Sequence, residues 1–320
     1  MRQFPFLQLL AVLLAVPLVA SGADAPSWPT RPVRMIVPEA AGGTQDAAAR
    51  AISGRLAQML GQPVLVENRA GDGAQAAARA APDGYTYLFA PAPLLVVNQY
   101  IMKLVPYSAE DDFAGVAMVG TSPLALAVNP ALNVDTLAGL IALAKAGPGR
   151  LAFTSPGRRT LPGLLGELFR IRAGVNLQHV PTKGAQGLSD TIAGRAQVTV
   201  QDIAAIAGAL QRNEVRALAV GTASRLPDLG DVPTFGETLP GFELNGWFAV
   251  VAPSSTPSEA IQRMNLELYT LLADADIAQR LRALGIYPEG PATPEQVDVF
   301  FAKERSLWDR LARELKIEPE

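Results

Sequence analysis

Short apolar runs of strand type alternate with longer amphipathic or alanine-rich stretches of helix type along this chain. Val33–Val37 reads as a buried strand, Pro38–Gly43 as a loop, and the residues from Thr44 to about Leu60 as a helix. Pro63–Glu67 predicts a second strand, Asn68–Gly73 a turn, Ala74–Ala81 a helix and Tyr85–Ala90 a third strand. Strand and helix alternating with short links imply right-handed crossovers and a mostly parallel sheet. Phe113–Val119 and Leu124–Asn129 read as strands on either side of Gly120–Pro123, and the first crossing between domains is expected near here. Thr136–Ala146 predicts a helix, Leu151–Thr154 a strand, Ser155–Thr160 a loop, and Leu161 to Arg172 a further helix. Helices over Gly184–Ala193 and Ile203–Gln211 alternate with strands over Gln197–Val200 and Arg216–Val220. Gly246–Pro253 is a strand read as the return crossing, and helices over Pro257–Ala273, Ile277–Leu284 and Pro294–Leu315 end the pattern. The expected division puts residues 26–127 with 248–320 in one lobe and 128–247 in the other.

The same design, strand then Pro/Gly loop then helix start, occurs in both halves. Glycines let backbone approach a ligand, and the first helical turn leaves N–H groups without intrahelical partners. Those donors, at the positive end of the helix dipole, favour a carboxylate or phosphate. The candidate binding residues are therefore Ala41, Gly42, Gly43, Thr44 and Asp46 in the first loop, and Ser155, Gly157, Arg158, Arg159 and Thr160 in the second. The plain alternative for the first loop is an ordinary strand-to-helix turn capped by Thr44 or Asp46. Two guanidinium groups at Arg158 and Arg159 suit a bidentate clamp on a carboxylate, or equally a solvated surface pair. Asp46 and Asp202 are acids near loop or strand ends, suited to fixing a loop or to meeting an ammonium or hydroxyl on a ligand.

Composition narrows the classes. With 49% apolar and 18% charged residues the chain is globular rather than disordered. A net charge of −3 argues against a nucleic-acid partner, which calls for a basic face. Residues 1–25 read as a cleavable export signal: Arg2, an apolar core from Leu7 to Val19, then small residues offering cleavage after Ala20, Ala23 or Ala25. The rival reading of that segment is an uncleaved membrane anchor. The absence of cysteine removes disulfides, thiolate nucleophiles and cysteine metal ligands together, and the expected address is a bacterial periplasm.

His179 is the single histidine, so a histidine-rich metal site is impossible and a Ser–His–Asp triad would have to be built on it. Neither a G-x-S-x-G elbow nor a G-x-x-x-x-G-K-[ST] loop is present. Gly71–Ala76 matches G-x-G-x-x-A superficially, but no acidic residue stands where the ribose partner is expected. No cofactor and no metal is expected. Trp247 is the tryptophan expected to edge a cleft.

An ordered series of short motifs now carries a resemblance. They are Trp28–Arg34, Gly42–Asp46, Gly61–Val64 with Glu67–Arg69, Ala81–Thr86, His179–Gly184, Asp231–Thr234, Leu239–Phe242 and Trp247-Phe248. Together they resemble the extracytoplasmic substrate-binding receptors of tripartite tricarboxylate transporters, the Bug-type receptors, over essentially the whole mature length. The resemblance implies an α/β, two-lobed periplasmic-binding-protein (type II-like) fold, each lobe a mostly parallel sheet flanked by helices, with the ligand cleft between lobes. It implies a small organic acid gripped by the first strand–helix loop and its counterpart, here Ala41–Asp46 and Ser155–Thr160, and delivery to membrane transporter subunits by a monomer. The chain departs from the family at Glu39-Ala40-Ala41, where an aromatic and prolines are usual, at Arg158, Arg159, Leu161 and Pro162, and at Thr182 in place of a tyrosine. Two other readings remain: a periplasmic protein presenting its ligand to a membrane sensor kinase, and a secreted hydrolase using Asp46 or His179.

Overall fold

The computed structural model describes residues 28–320, so the expected export signal over 1–25 lies outside the described residues. Ten strands form two five-stranded sheets. The first contains β1 (Val33–Val37), β2 (Val64–Asn68), β3 (Thr86–Pro91), β4 (Phe113–Ser122) and β10 (Gly246–Pro253). The second contains β5 (Leu124–Val128), β6 (Ala152–Ser155), β7 (Gln178–Pro181), β8 (Val198–Asp202) and β9 (Arg216–Val220). Their orders, β2-β1-β3-β10-β4 and β7-β6-β8-β5-β9, are the same arrangement used twice.

Each sheet is mixed. β10 runs antiparallel to both β3 and β4, and β5 runs antiparallel to both β8 and β9, while the remaining pairs are parallel. The reversed strand is in each case the one that arrives from the other half of the chain, so it enters the sheet from the opposite end. The expected limits of the lobes shift accordingly. Leu124 already pairs with Asp202 in the second sheet, so the chain changes sheets at Pro123 rather than after 127. Gly246 and Trp247 already pair with Ser122 and Thr121 in the first, so the return comes before 248.

The helices are α1 (Thr44–Leu60), α2 (Gly73–Ala78), α3 (Asn98–Ile101), α4 (Leu137–Ala146), α5 (Leu161–Ala173), α6 (Gln186–Ile192), α7 (Ile203–Gln211), α8 (Phe235–Thr238), α9 (Ser258–Leu272), α10 (Ala275–Ala283) and α11 (Pro294–Leu315), and all but the short α3 and α8 follow the sequence pattern. A π-helical turn over Pro93–Val97 runs directly into α3, a stretch to which the sequence pattern assigns no element. α1 buries Ala48, Ala49, Ile52, Leu56 and Leu60, spaced to form one stripe, and stops at Gly61, whose φ of 69° only glycine adopts without strain.

One face of the first sheet packs with α1, α9 and α10 around Met35, Tyr87, Phe89, Ile52 and Met264. Its other face shares a continuous apolar core with the second sheet, joined through Leu164, Leu165, Phe169 and Trp308 of α5 and α11. All eight residues of β10 are buried, as expected for a strand covered on both faces. The consequence for function is that the C-terminal ends of β1 and β6, with the helix starts that follow them, are held on a rigid frame. No helix among the described residues is long and apolar enough to cross a membrane.

Candidate functional site

The second loop is built around a buried relay. Ser155 Oγ lies 2.7 Å from His179 Nε2, and His179 Nδ1 lies 2.7 Å from Glu167 Oε1. The imidazole is stacked on Phe153 with ring centroids 4.2 Å apart. Burial pushes the Glu167 carboxyl up, but its bond to His179 and the Arg170 charge outweigh that and hold it below the usual range. The order serine, histidine, carboxylate is that of a hydrolase, yet Ser155 is fully buried and its hydroxyl also reaches the Gly157 carbonyl at 3.1 Å. The relay therefore positions the loop. His179 is structural in this fold, and Asp46 stands in the other lobe's loop.

Helix α5 starts with its donors open. Thr160 is the N-cap: its Oγ1 accepts from the Gly163 N–H at 3.3 Å and donates to the Gly157 carbonyl at 2.8 Å. Gly163 packs against that carbonyl so closely that a Cβ would overlap it. Pro162 occupies the first turn, where no N–H is required. Among the described residues the backbone N–H groups of Arg158, Arg159 and Leu161 have no intramolecular acceptor. They lie at the positive end of the helix dipole, an arrangement that favours an anion.

The first loop looks alike in sequence and differs in its contents. Glu39 Oε2 accepts from the Gln45 N–H at 2.8 Å and, more weakly, from the Asp46 N–H at 3.4 Å. This carboxylate lies over Gly43, so a Cβ at that position would overlap it. Two of the α1 donors, the Gln45 and Asp46 N–H groups, are thus taken by the chain's own side chain, while the Thr44 N–H has no intramolecular acceptor among the described residues. Asp46 is equally committed: its carboxylate accepts from the Gly42 N–H at 2.8 Å, from Asn68 Nδ2 at 2.9 Å and from Arg50 Nε at 2.8 Å. The Gly42 bond, helped by Asn68 and Arg50, holds it below the ordinary aspartate range. Asp46 therefore fixes the loop. Gly42, with φ of 89°, supplies the left-handed turn, while Ala41 and Thr44 face solvent.

A cavity of about 340 Å³ opens between the lobes. Its walls include Gln45, Pro91 and Asn98 from one side and Arg159, Thr160 and Asp202 from the other, with Trp247 and Phe248 between them. Three of the expected binding residues, Arg159, Thr160 and Asp202, thus meet at one cleft. The two arginines do not form a clamp. Arg158 is exposed and its guanidinium reaches only the His179 carbonyl, at 3.4 Å. Arg159 instead crosses to the other half, donating to the Ile101 carbonyl at 2.6 Å and the Glu318 carbonyl at 2.8 Å, and pairing with Glu320 at 2.7 Å.

Asp202, at the end of β8, has no ion pair and no side-chain hydrogen bond among the described residues, and burial pushes its carboxyl up to about 6 against the pull of its own backbone N–H. Gln45 was not singled out by its residue type, yet it lines the cleft with its Oε1 buried and unpartnered. Trp247 edges the cleft as expected, anchored by Nε1–H to Glu304 Oε2 at 2.9 Å and stacked on Phe301. Among the described residues no cluster of three or more metal-ligating side chains occurs.

The profile of the tripartite tricarboxylate transporter family receptor matches residues 48–317. The chain belongs to this receptor family. Protein BugT of Bordetella pertussis is 35% identical to the receptor over 98% of both chains. A solved structure of the Rhodopseudomonas palustris protein Rpa4515 with adipate is 33% identical, with a TM-score of 0.77 over 92% of this receptor and all of that chain. MatC from Rhodopseudomonas palustris, solved with bound malate, is 27% identical, with a TM-score of 0.72 over 89% of the receptor and 99% of MatC. The fold expected from the sequence, two α/β lobes of the periplasmic-binding-protein kind, is the one these relatives share.

Proposed function

We propose that this protein is an extracytoplasmic solute receptor that captures a small organic acid between its lobes and passes it to a tripartite tricarboxylate-type membrane transporter. It works in the periplasm as a monomer after removal of the export signal over 1–25. One lobe comprises residues up to Ser122 together with 246–320, and the other residues 124–245. The observation that carries the reading is the set of unclaimed N–H groups at the start of α5, beside a cavity walled by both lobes. A ligand carboxylate there accepts hydrogen bonds from Arg158, Arg159 and Leu161 and gains the favourable end of the helix dipole. The adipate and malate held by two relatives fit the same chemistry. Closure follows because a ligand touching both lobes binds the closed form more tightly than the open one. Nothing in the cleft needs to break a bond in the ligand.

Calorimetry and thermal melting against a panel of organic acids test this. At a hundredfold excess over the dissociation constant a bound acid adds about 2.7 kcal/mol of apparent stability. The reading fails if no carboxylate moves the melting curve while neutral solutes do.

A further inference from the structure

The two helix starts that face each other across a clamp of this kind are not equivalent here. On the α5 side the donors are open. On the α1 side Glu39 Oε2 takes the Gln45 and Asp46 N–H groups, and its carboxylate fills the space where a Gly43 Cβ would stand. A ligand carboxylate meeting this side would have to expel Glu39 or lie beside it, at a repulsive distance from a like charge.

Away from α5 the cleft offers one carboxylate, Asp202, beside the Asn98 amide and the Ser122 hydroxyl. Asp202 lines the cavity without a cationic partner among the described residues. Gln45 lines it too, but its unpartnered Oε1 is turned away from the cavity surface. An unpaired acceptor in a poorly hydrated wall is costly unless a donor arrives with the ligand. The one cation in the lining, Arg159, is already matched by Glu320 and two carbonyls. The apolar part of the wall, including Pro91, Leu161, Trp247 and Phe248, suits a hydrocarbon spacer.

We propose that Glu39 is a built-in substitute for a ligand's second carboxylate, so that this receptor selects an amino-carboxylic acid over a dicarboxylic acid. The ligand's carboxylate lies on the α5 N-terminus and its ammonium lies against Asp202. This deepens the carboxylate-receptor reading and rests on it. Selection works in both directions: the ammonium satisfies the Asp202 carboxylate, which a dicarboxylate leaves bare, and the Glu39 charge repels a second carboxylate.

The test uses three probes of equal chain length, adipate, ω-aminohexanoate and hexanoate, titrated calorimetrically into the full mature protein and its variants. Wild type is expected to bind ω-aminohexanoate roughly tenfold or more tightly than adipate, the size of one charge-assisted hydrogen bond. E39A should shrink that preference by about tenfold, with E39Q moving it in the same direction while keeping the side-chain volume. D202N should weaken ω-aminohexanoate by about tenfold without weakening adipate. Melting curves of each variant establish that it is folded. Adipate binding wild type as tightly as ω-aminohexanoate, or a preference unmoved in both Glu39 variants, overturns the proposal while leaving the carboxylate reading intact. Failure of all three acids to bind wild type and E39A overturns that reading and the proposal with it.

Discussion

Arg159 donates to the Ile101 carbonyl at 2.6 Å, joining the start of α5 to the end of α3 across the cleft. The same guanidinium reaches Glu318 and Glu320, and Glu320 is itself laced to the Ile101–Lys103 backbone by bonds of 3.2 Å on either side. A residue that looked like a ligand clamp is therefore a strap between lobes. Its guanidinium is one-third exposed, so the ion pair itself contributes under about 1 kcal/mol, with the carbonyl bonds adding a similar amount. R159A is expected to lower stability by about 1–2 kcal/mol and to shift the unliganded protein towards more open forms. Chemical denaturation reads the first effect, and small-angle scattering reads the second as a larger radius of gyration.

Gly43 and Glu39 should behave as one unit. The backbone at Gly43, with φ of −79°, is ordinary for any residue, so G43A acts only by displacing the Glu39 carboxylate. We expect G43A to cost about 1–2 kcal/mol in wild type and close to nothing in an E39A background. A double-mutant cycle by urea unfolding measures the coupling, and additive costs would show that the carboxylate does not lie where the Cβ would go.

Asp202 sets a pH dependence of stability. Burial raises its folded carboxyl to about 6 from an ordinary value near 4. Between those limits the folded state binds the extra proton, so the Asp202 contribution to stability is greatest below pH 4 and is lost as the pH rises through 6. Two units correspond to about 3 kcal/mol. D202N, which cannot ionise, should match wild type near pH 4 and exceed it by up to this amount at pH 7. Comparing the two proteins' urea midpoints across that range cancels the contribution of other groups. A constant difference would mean that Asp202 titrates normally.

The His179 relay holds up the α5 side of the cleft. Removing the ring leaves a gap against Phe153 and one oxygen of Glu167 without its partner, so H179A should cost about 2–4 kcal/mol. Ligand affinity should fall with it, since the Ser155–Thr160 loop loses its fixed shape. S155A should cost about 1 kcal/mol and leave any slow ester hydrolysis by the preparation unchanged, which distinguishes a positioning serine from a nucleophile.

Trp247 is the optical reporter of the cleft. It lines the cavity, whereas Trp308 is fully buried in the core and Trp28 packs against Tyr85 and Tyr87. Ligand addition is expected to change the emission of wild type, and W247F should abolish most of that change.

The sequence made the two strand–loop–helix units readable because β1 and β6 are short apolar runs ended by proline and glycine, a local signal. It also pointed to Thr160 and Asp202, which stand at a helix cap and a strand end. It misplaced the arginines because their partners are remote. Ile101 and Glu320 are neighbours of Arg159 only after both sheets have assembled. The occupancy of α1 by Glu39 was hidden for a different reason: glycines after the strand signal that something approaches the backbone, without saying whether it is a ligand or a side chain from the same loop. Gln45 gave no signal at all, since an orphaned amide oxygen is a property of its surroundings.

The exchange of reversed strands has a consequence for biogenesis. β4 meets its hydrogen-bonding neighbour only when β10 is inserted beside it, so the first sheet stays split until residue 253 has been synthesised. A nascent polypeptide emerging from the ribosome therefore carries β4 apart from the β2-β1-β3 unit until most of the chain has been made.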